Sequence, residues 1–274
     1  MPGYIWFMTL TAMSATIVFS ALCAFSLLLL SEKSKQYQRQ TTIAFAVATG
    51  ATCVWIANRE WDLGLPTALL ASILAAEIAF FIFLIKSPSV LTLGVLLGPY
   101  LLIASGLVVW ADAVSDAELV LPKIDGWLSA HIGAAILGYG FITLAAIASA
   151  AIIFRERALK RRTRGKLIGS LPAVLIAEWT EIGSLTAAEM LLGLAILCGI
   201  GAEYAASGTY FQLTHKSLLS IIAFVIIGLL LWLHLKMGFR GRLAARIGVS
   251  VYLLISLGYL GVKFIGEYIL VSGN

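Results

Sequence analysis

Long apolar runs separated by short polar breaks fill the chain from one end to the other. Runs of membrane-span length lie at residues 4–30, 41–57, 65–85, 89–111, 126–154, 185–206, 213–235 and 246–271. A bilayer core takes about 20 apolar residues per helix, so the pattern predicts an all-α integral membrane protein with about eight transmembrane helices. The second run is the shortest. A membrane β-barrel shows alternation in segments of about ten residues, and these runs are continuous instead. No basic residue precedes the first run, whereas Lys33 and Lys35 follow it, the reverse of a secretory signal, so it reads as a span. No Pro/Ser-rich linker, low-complexity tract or repeat interrupts the series, and residues 1–274 are expected to form a single polytopic membrane domain.

Composition supports that setting: 61% of the 274 residues are hydrophobic and 12% charged, with a mean hydropathy of +0.99, beyond what a soluble core requires. Charge then sets orientation. Of the 19 Lys and Arg residues, all but Arg59, Lys123, Lys216 and Lys263 fall after the first, third, fifth and seventh runs. Cytoplasmic loops carry the excess of basic residues, so both termini are expected outside a bacterial inner membrane. The densest stretch, RERALKRRTRGK at 155–166, has no interleaved aromatics and reads as a collar for anionic headgroups rather than a nucleic-acid site. The following LPAVLIAEWTEIGSL at 171–185 is expected to lie along the interface before the sixth span. Cys23, Cys53 and Cys198 form no CxxC pair, which excludes a thiol–disulfide carrier built on that motif. Gly94 and Gly98, with Gly133, Gly138 and Gly140, are expected to be points of close helix approach.

Three histidines carry the candidate chemistry. His131, in DGWLSAHIGAAILGYG, and His215, in LTHKSLLS, stand near the outer starts of the fifth and seventh runs, while His234 lies at the cytoplasmic end. At 1.5 Å rise per residue the first two are within about 10 Å of the outer helix ends. Two readings stand for them: a hydrogen bond to a neighbouring helix, or a shared ligand. Small residues below His131 and aliphatics below His215 outline an apolar slot. No Asp, Glu or Cys adjoins either histidine to complete a zinc tetrahedron. Haem accepts axial histidine, needs apolar walls, and presents propionates to cations. The outer cations are Lys216, Lys123 and Arg59, and Lys216 is either a propionate partner or a lysine snorkelling to the interface. Glu77 and Glu189, carboxylates inside runs, are the feature that fits a rival class, a secondary transporter.

The block LPKIDGWLSAHIGAAILGYGFITLAAIASAAIIFRERALK, followed by FQLTHKSLLSIIAFVIIGLLLWLHLKMGFRGRLAARIGVSVYLLISLGYLGVKFIGE, resembles the cytochrome c assembly protein family, in particular its short CcsA-like or HemX-like members, most clearly over residues 65–271. The resemblance implies an eight-helix haem-handling membrane protein in cytochrome c biogenesis or haem homeostasis, binding haem b non-covalently through His131 and His215. Its implied partners are haem and proteins of cytochrome c maturation or haem synthesis. Members that present haem for attachment carry a tryptophan-rich external segment, whereas DAVSDAELVLPKID at 112–125 contains no tryptophan. A haem-attaching enzyme is therefore not expected. A membrane anchor regulating a haem-synthesis enzyme is the other role the resemblance implies.

Overall fold

The computed structural model describes residues 2–29, 35–59, 64–114, 125–162, 165–208, 215–261 and 264, with side chains at 13–27, 38–59, 64–114, 125–162, 165, 168–208, 217–261 and 264. The chain runs through α1 (Pro2–Leu29), α2 (Lys35–Ala57), α3 (Leu65–Lys86), a 3-10 turn (Pro88–Leu93), α4 (Gly94–Val114), α5 (Gly126–Arg161), the short α6 (Lys166–Ser170), α7 (Val174–Ser207), α8 (His215–Met237) and α9 (Arg242–Ser256), which continues into a π-helical turn (Leu257–Gly261). Among the described residues there is no strand, and seven helices are long and apolar enough to cross a membrane. These are α2, α3, α4, α5, α7, α8 and α9. The eighth long helix, α1, has 28 residues and a described apolar stretch at Met13–Leu27.

Local chemistry explains the ends. Pro66 opens α3, where its missing N–H costs nothing. The Asp125 carboxylate accepts the Leu128 N–H at 2.7 Å and caps α5. Gly208, at φ 73°, closes α7 in the left-handed conformation that L side chains resist, and its N–H returns to the Tyr204 carbonyl.

Two groups of helices share the core. In the first, α1 packs on α2 and α4, and α3 on α2 and α4; Phe25, Phe45 and Phe80 meet tilted and edge-on at its centre, with Phe45 4.9 Å from Phe25 and 4.8 Å from Phe80 between ring centroids. In the second, α5 packs on α7 and α9, and α8 packs on the same two helices. These four form a ring with α5 and α8 at opposite corners, filled by Ile142, Leu185, Ala223, Ile227, Leu230 and Val251. The groups meet where α3 crosses α5: a Cβ added to Gly140 would lie 2.7 Å from the Ala75 Cβ.

Two expectations change. The segment 171–185 is not separate from the sixth span: helix α7 begins at Val174 and runs unbroken for 34 residues, because Ala177, Thr180, Glu181 and Ser184 form one buried stripe continuous with Leu185, Ala188 and Leu192. Nor is every glycine a packing point. Gly98 meets Phe25 and Ser26 of α1 and Gly138 meets Leu191 of α7, but nothing lies within 4 Å of a Cβ at Gly133.

That contrast is testable. Gly140→Val should force α3 and α5 apart and lower stability by about 1–3 kcal/mol, the usual cost of overpacking, whereas Gly133→Ala should leave it unchanged; thermal unfolding in detergent separates the two.

Candidate functional site

The site rests on the way α5 and α7 run against one another. Gly201 faces Trp127, Gly199 faces His131, and Leu191 and Leu192 face Gly138, while Glu181 faces Ser149. Numbers fall on one helix as they rise on the other, so the pair is antiparallel. Glycine and alanine hold it close: a Cβ on Gly199 would stand 3.0 Å from the His131 Nδ1.

That missing side chain lets the imidazole reach the α7 backbone. The His131 Nδ1–H donates to the Ala195 carbonyl at 2.7 Å. Donation from Nδ1 fixes the tautomer and leaves Nε2 with its lone pair, the arrangement in which histidine serves as a metal ligand oriented by a backbone carbonyl. Beside it, Trp127 packs over Gly201 while half its surface stays exposed. His131 thus makes the interhelical hydrogen bond that one sequence reading allowed, and it does so through the nitrogen that leaves the other free.

The backbone of His215 begins α8; the side chains of His215 and Lys216 lie outside the described residues, as do Lys123 and Lys263. Register still places the His215 backbone. Gly193 faces Phe224 and Gly228 faces Glu189, so α7 and α8 are antiparallel and Leu218 stands level with Gly199, hence with His131. His215 is then one turn, about 5 Å, nearer the helix start. The route through α9, where Gly258 faces Leu219 and Ser256 bonds Tyr139 at 2.9 Å, puts it about half a turn further in than His131. Both routes bring the two backbones to one level at one end of the ring, at opposite corners.

Other parts of the expected site do not come together. The small residues below His131 form no slot toward α7, because Ala134 is buried and Gly138 lies against the α7 backbone; close helix packing uses up the space. Below His215, Leu218 and Ile222 turn outward while Leu219 packs on Gly258. Arg59 is not held in reserve for a ligand. Its guanidinium grips Asp112 with two hydrogen bonds, 2.8 Å from Nη1 and 2.5 Å from Nη2, and its Nε donates to the Thr67 hydroxyl at 2.8 Å. The fork ties the end of α2, the start of α3 and the end of α4 together. Among the described residues no three of His, Cys, Asp and Glu gather to hold a metal ion.

Several polar contacts were not foreseen from sequence. Glu181, 1% exposed, accepts the Ser149 hydroxyl at 2.5 Å, and Gly248 of α9 leaves room for its carboxylate. Tyr139, Tyr252 and Tyr100 line up across α5, α9 and α4, with ring centroids 6.0 and 6.3 Å apart and the Tyr252 hydroxyl donating to that of Tyr100. Only helix packing joins these residues, which are 152 positions apart at the extreme. Glu77, 0% exposed, accepts from the Thr52 hydroxyl at 3.3 Å.

A model of the family described as Cytochrome C assembly protein matches residues 41–270. The chain belongs to the cytochrome c assembly protein family. It is 35% identical, over 87% of its length and 88% of the relative's, to a protein of Azospirillum brasilense described as an uncharacterized 28.8 kDa protein in the nifR3-like 5' region. It is also 25% identical to the cytochrome c biogenesis protein CcsA of Prochlorococcus marinus strain MIT 9312, over 57% of this chain and 56% of that protein. The CcsA of Synechococcus sp. strain RCC307 is 24% identical, over 57% of each. The match to these named relatives therefore spans a little over half of their length. No solved structure matches the chain. Membership, with the seven apolar helices, makes this a multi-pass membrane protein of a cytochrome c biogenesis family.

The Arg59 fork yields a prediction for this cytochrome c assembly family member. Arg59→Lys keeps the charge but loses the paired geometry, and should lower the unfolding temperature in detergent; Asp112→Asn should do the same, and the double variant should cost less than the two added together.

Proposed function

We propose that this protein binds haem b non-covalently at the outer face of a bacterial inner membrane, and handles it for cytochrome c biogenesis or haem homeostasis without forming bonds to it. The observation that carries the reading is the hydrogen bond from His131 Nδ1 to the Ala195 carbonyl, which orients the ring and leaves Nε2 as a donor to iron. His215 is the proposed second ligand, supported by its register, and Lys216 the proposed propionate partner. Bound there, haem would supply an iron whose electron affinity the imidazoles of His131 and His215 would tune. Gly199 makes room for the His131 ring, Ala195 holds it, and Trp127 offers an apolar flank. The donor set fits an axial haem site and, with no carboxylate or thiolate joining it among the described residues, does not fit tetrahedral zinc.

The wider reading treats all 274 residues as one membrane domain with both termini outside. It follows from basic residues at the ends of α5 and α8, such as Lys160, Arg161 and Lys236, opposite the His131 level. The absence of tryptophan at 112–125 supports handing haem to a maturation or haem-synthesis partner rather than attaching it.

Absorption spectroscopy of the purified protein tests the site. A Soret band with b-type features is expected; His131→Ala and His215→Ala should each weaken haem binding, with partial recovery on added imidazole. Lys216→Ala should act more modestly, by about 0 to 1 kcal/mol, as expected of an ion pair at a hydrated rim. Gly199→Leu, which crowds the ring without removing a ligand, should also weaken binding. Unchanged affinity and spectra in both histidine variants would overturn the proposal. Orientation is checked separately: topology reporters at the C-terminus and near Asp116 should read external, and one near Arg162 cytoplasmic.

A further inference from the structure

We infer that the seam between α7 and α8 is a proton-loading half-channel, open at the end that carries the basic loops and closed at Glu189 in the middle of the membrane. The open end is a cavity of about 300 Å³ with Glu178, His234 and Arg240 among its lining residues and Trp179, Ile182 and Gly183 as walls. From there Glu178, Ile182, Thr186 and Glu189 follow one another at intervals of three or four residues along α7, which places them on one helical face. The facing positions on α8 are His234 at the mouth and Gly228 at the inner end.

Glu189 stands well inside the bilayer. It is in the middle of the 34-residue α7, and it faces Gly228 near the centre of α8, where an added Cβ would lie 2.9 Å from its Oε1. Its Oε2 is buried with no hydrogen-bond partner. A carboxylate in that position lacks both solvation and a donor, whereas the neutral acid carries its own proton. Thr186 lies one turn toward the mouth; its hydroxyl donates to the Ile182 carbonyl at 2.8 Å, which leaves its oxygen lone pairs as acceptors between Glu189 and the cavity. Proton transfer along this face forms the Glu189 O–H bond at the expense of a hydronium at the mouth, and reverses by the same route.

The surrounding charges match such a path. On α7, Glu178 accepts the Gly241 N–H at 3.1 Å, and Glu181 turns away to Ser149 of α5. On α8, His234 donates through Nδ1 to the Phe239 carbonyl at 3.1 Å and lines the mouth together with Arg240. The sequence of α8 brings no acid or base nearer to Gly228 than His234 on this side, and α9 contributes Arg242 and Arg246 only at its start. Among the described residues no salt bridge pairs a cation with Glu189, so a proton is the species the seam holds.

Infrared spectroscopy of the full-length protein in lipid tests this directly. At neutral pH the wild type should show a protonated-carboxyl C=O band that Glu189→Gln removes. Thr186→Val, which keeps the shape and loses the hydroxyl, should slow deuterium exchange of that band several-fold. In the unsubstituted protein, dicyclohexylcarbodiimide should label Glu189, as read by peptide mass, so the test holds even if a variant folds poorly. An unchanged band in Glu189→Gln, a wild type unlabelled at Glu189, or loss of the band on adding sodium at fixed pH would each overturn the proposal, the last by making the site one for a metal cation. Glu189→Gln should leave the spectrum of haem-loaded protein unchanged, so this test and that of the histidine site succeed or fail separately.

Discussion

The close antiparallel contact of α5 with α7 is the constraint on which the site depends. Lipid tails offer helices no hydrophobic drive to associate, so association rests on van der Waals packing and interhelical hydrogen bonds, and small residues at the contact allow both. Here Gly138 brings α5 within van der Waals contact of Leu191, and Gly199 opens the space into which the His131 ring fits. A bulky residue at either place would move the helices apart, break the bond to Ala195 and leave the His131 ring free to turn. Stability of the ring and orientation of its histidine thus have one cause.

The same packing distributes the polar groups of the interior. A buried carboxylate needs a donor, a cation or a proton. Glu181 takes a donor, the Ser149 hydroxyl, at the junction of α5, α7 and α9. Glu77 takes the Thr52 hydroxyl between α2 and α3 for one of its oxygens. Glu189, like Glu77, has no hydrogen-bond partner on its Oε2, but it lies on the α7 face that carries Glu178 and Ile182 of the cavity. At one end of the first helix group the tie is ionic: Arg59 joins three helix ends in one fork with Asp112 and Thr67.

The two groups of helices divide the work. α1 to α4 form an aromatic-centred block, while α5, α7, α8 and α9 make a ring whose two ends carry the histidines. Gly140 against Ala75 fastens one to the other, so α5 belongs to both and transmits the position of the block to the histidine it carries.

Hydropathy alone was enough to locate eight long helices, since a bilayer demands continuous apolar runs and every backbone bond within them is local. It misplaced the start of α7, because Glu178, Trp179 and Glu181 read as interfacial until a buried partner for Glu181 exists, and that partner, Ser149, is 32 residues away. The family was legible in the order of the His131 and THK blocks, and the shared depth of His131 and His215 followed from counting rise per residue. What counting could not supply was direction around the helix relative to neighbours. That decided whether Ala134 and Gly138 would open a slot or close an interface, whether Arg59 was free, and which imidazole nitrogen was engaged. Those outcomes depend on contacts between residues distant in the chain, and only the tertiary packing of α5 on α7 and of α2 and α4 on α3 brings the partners together.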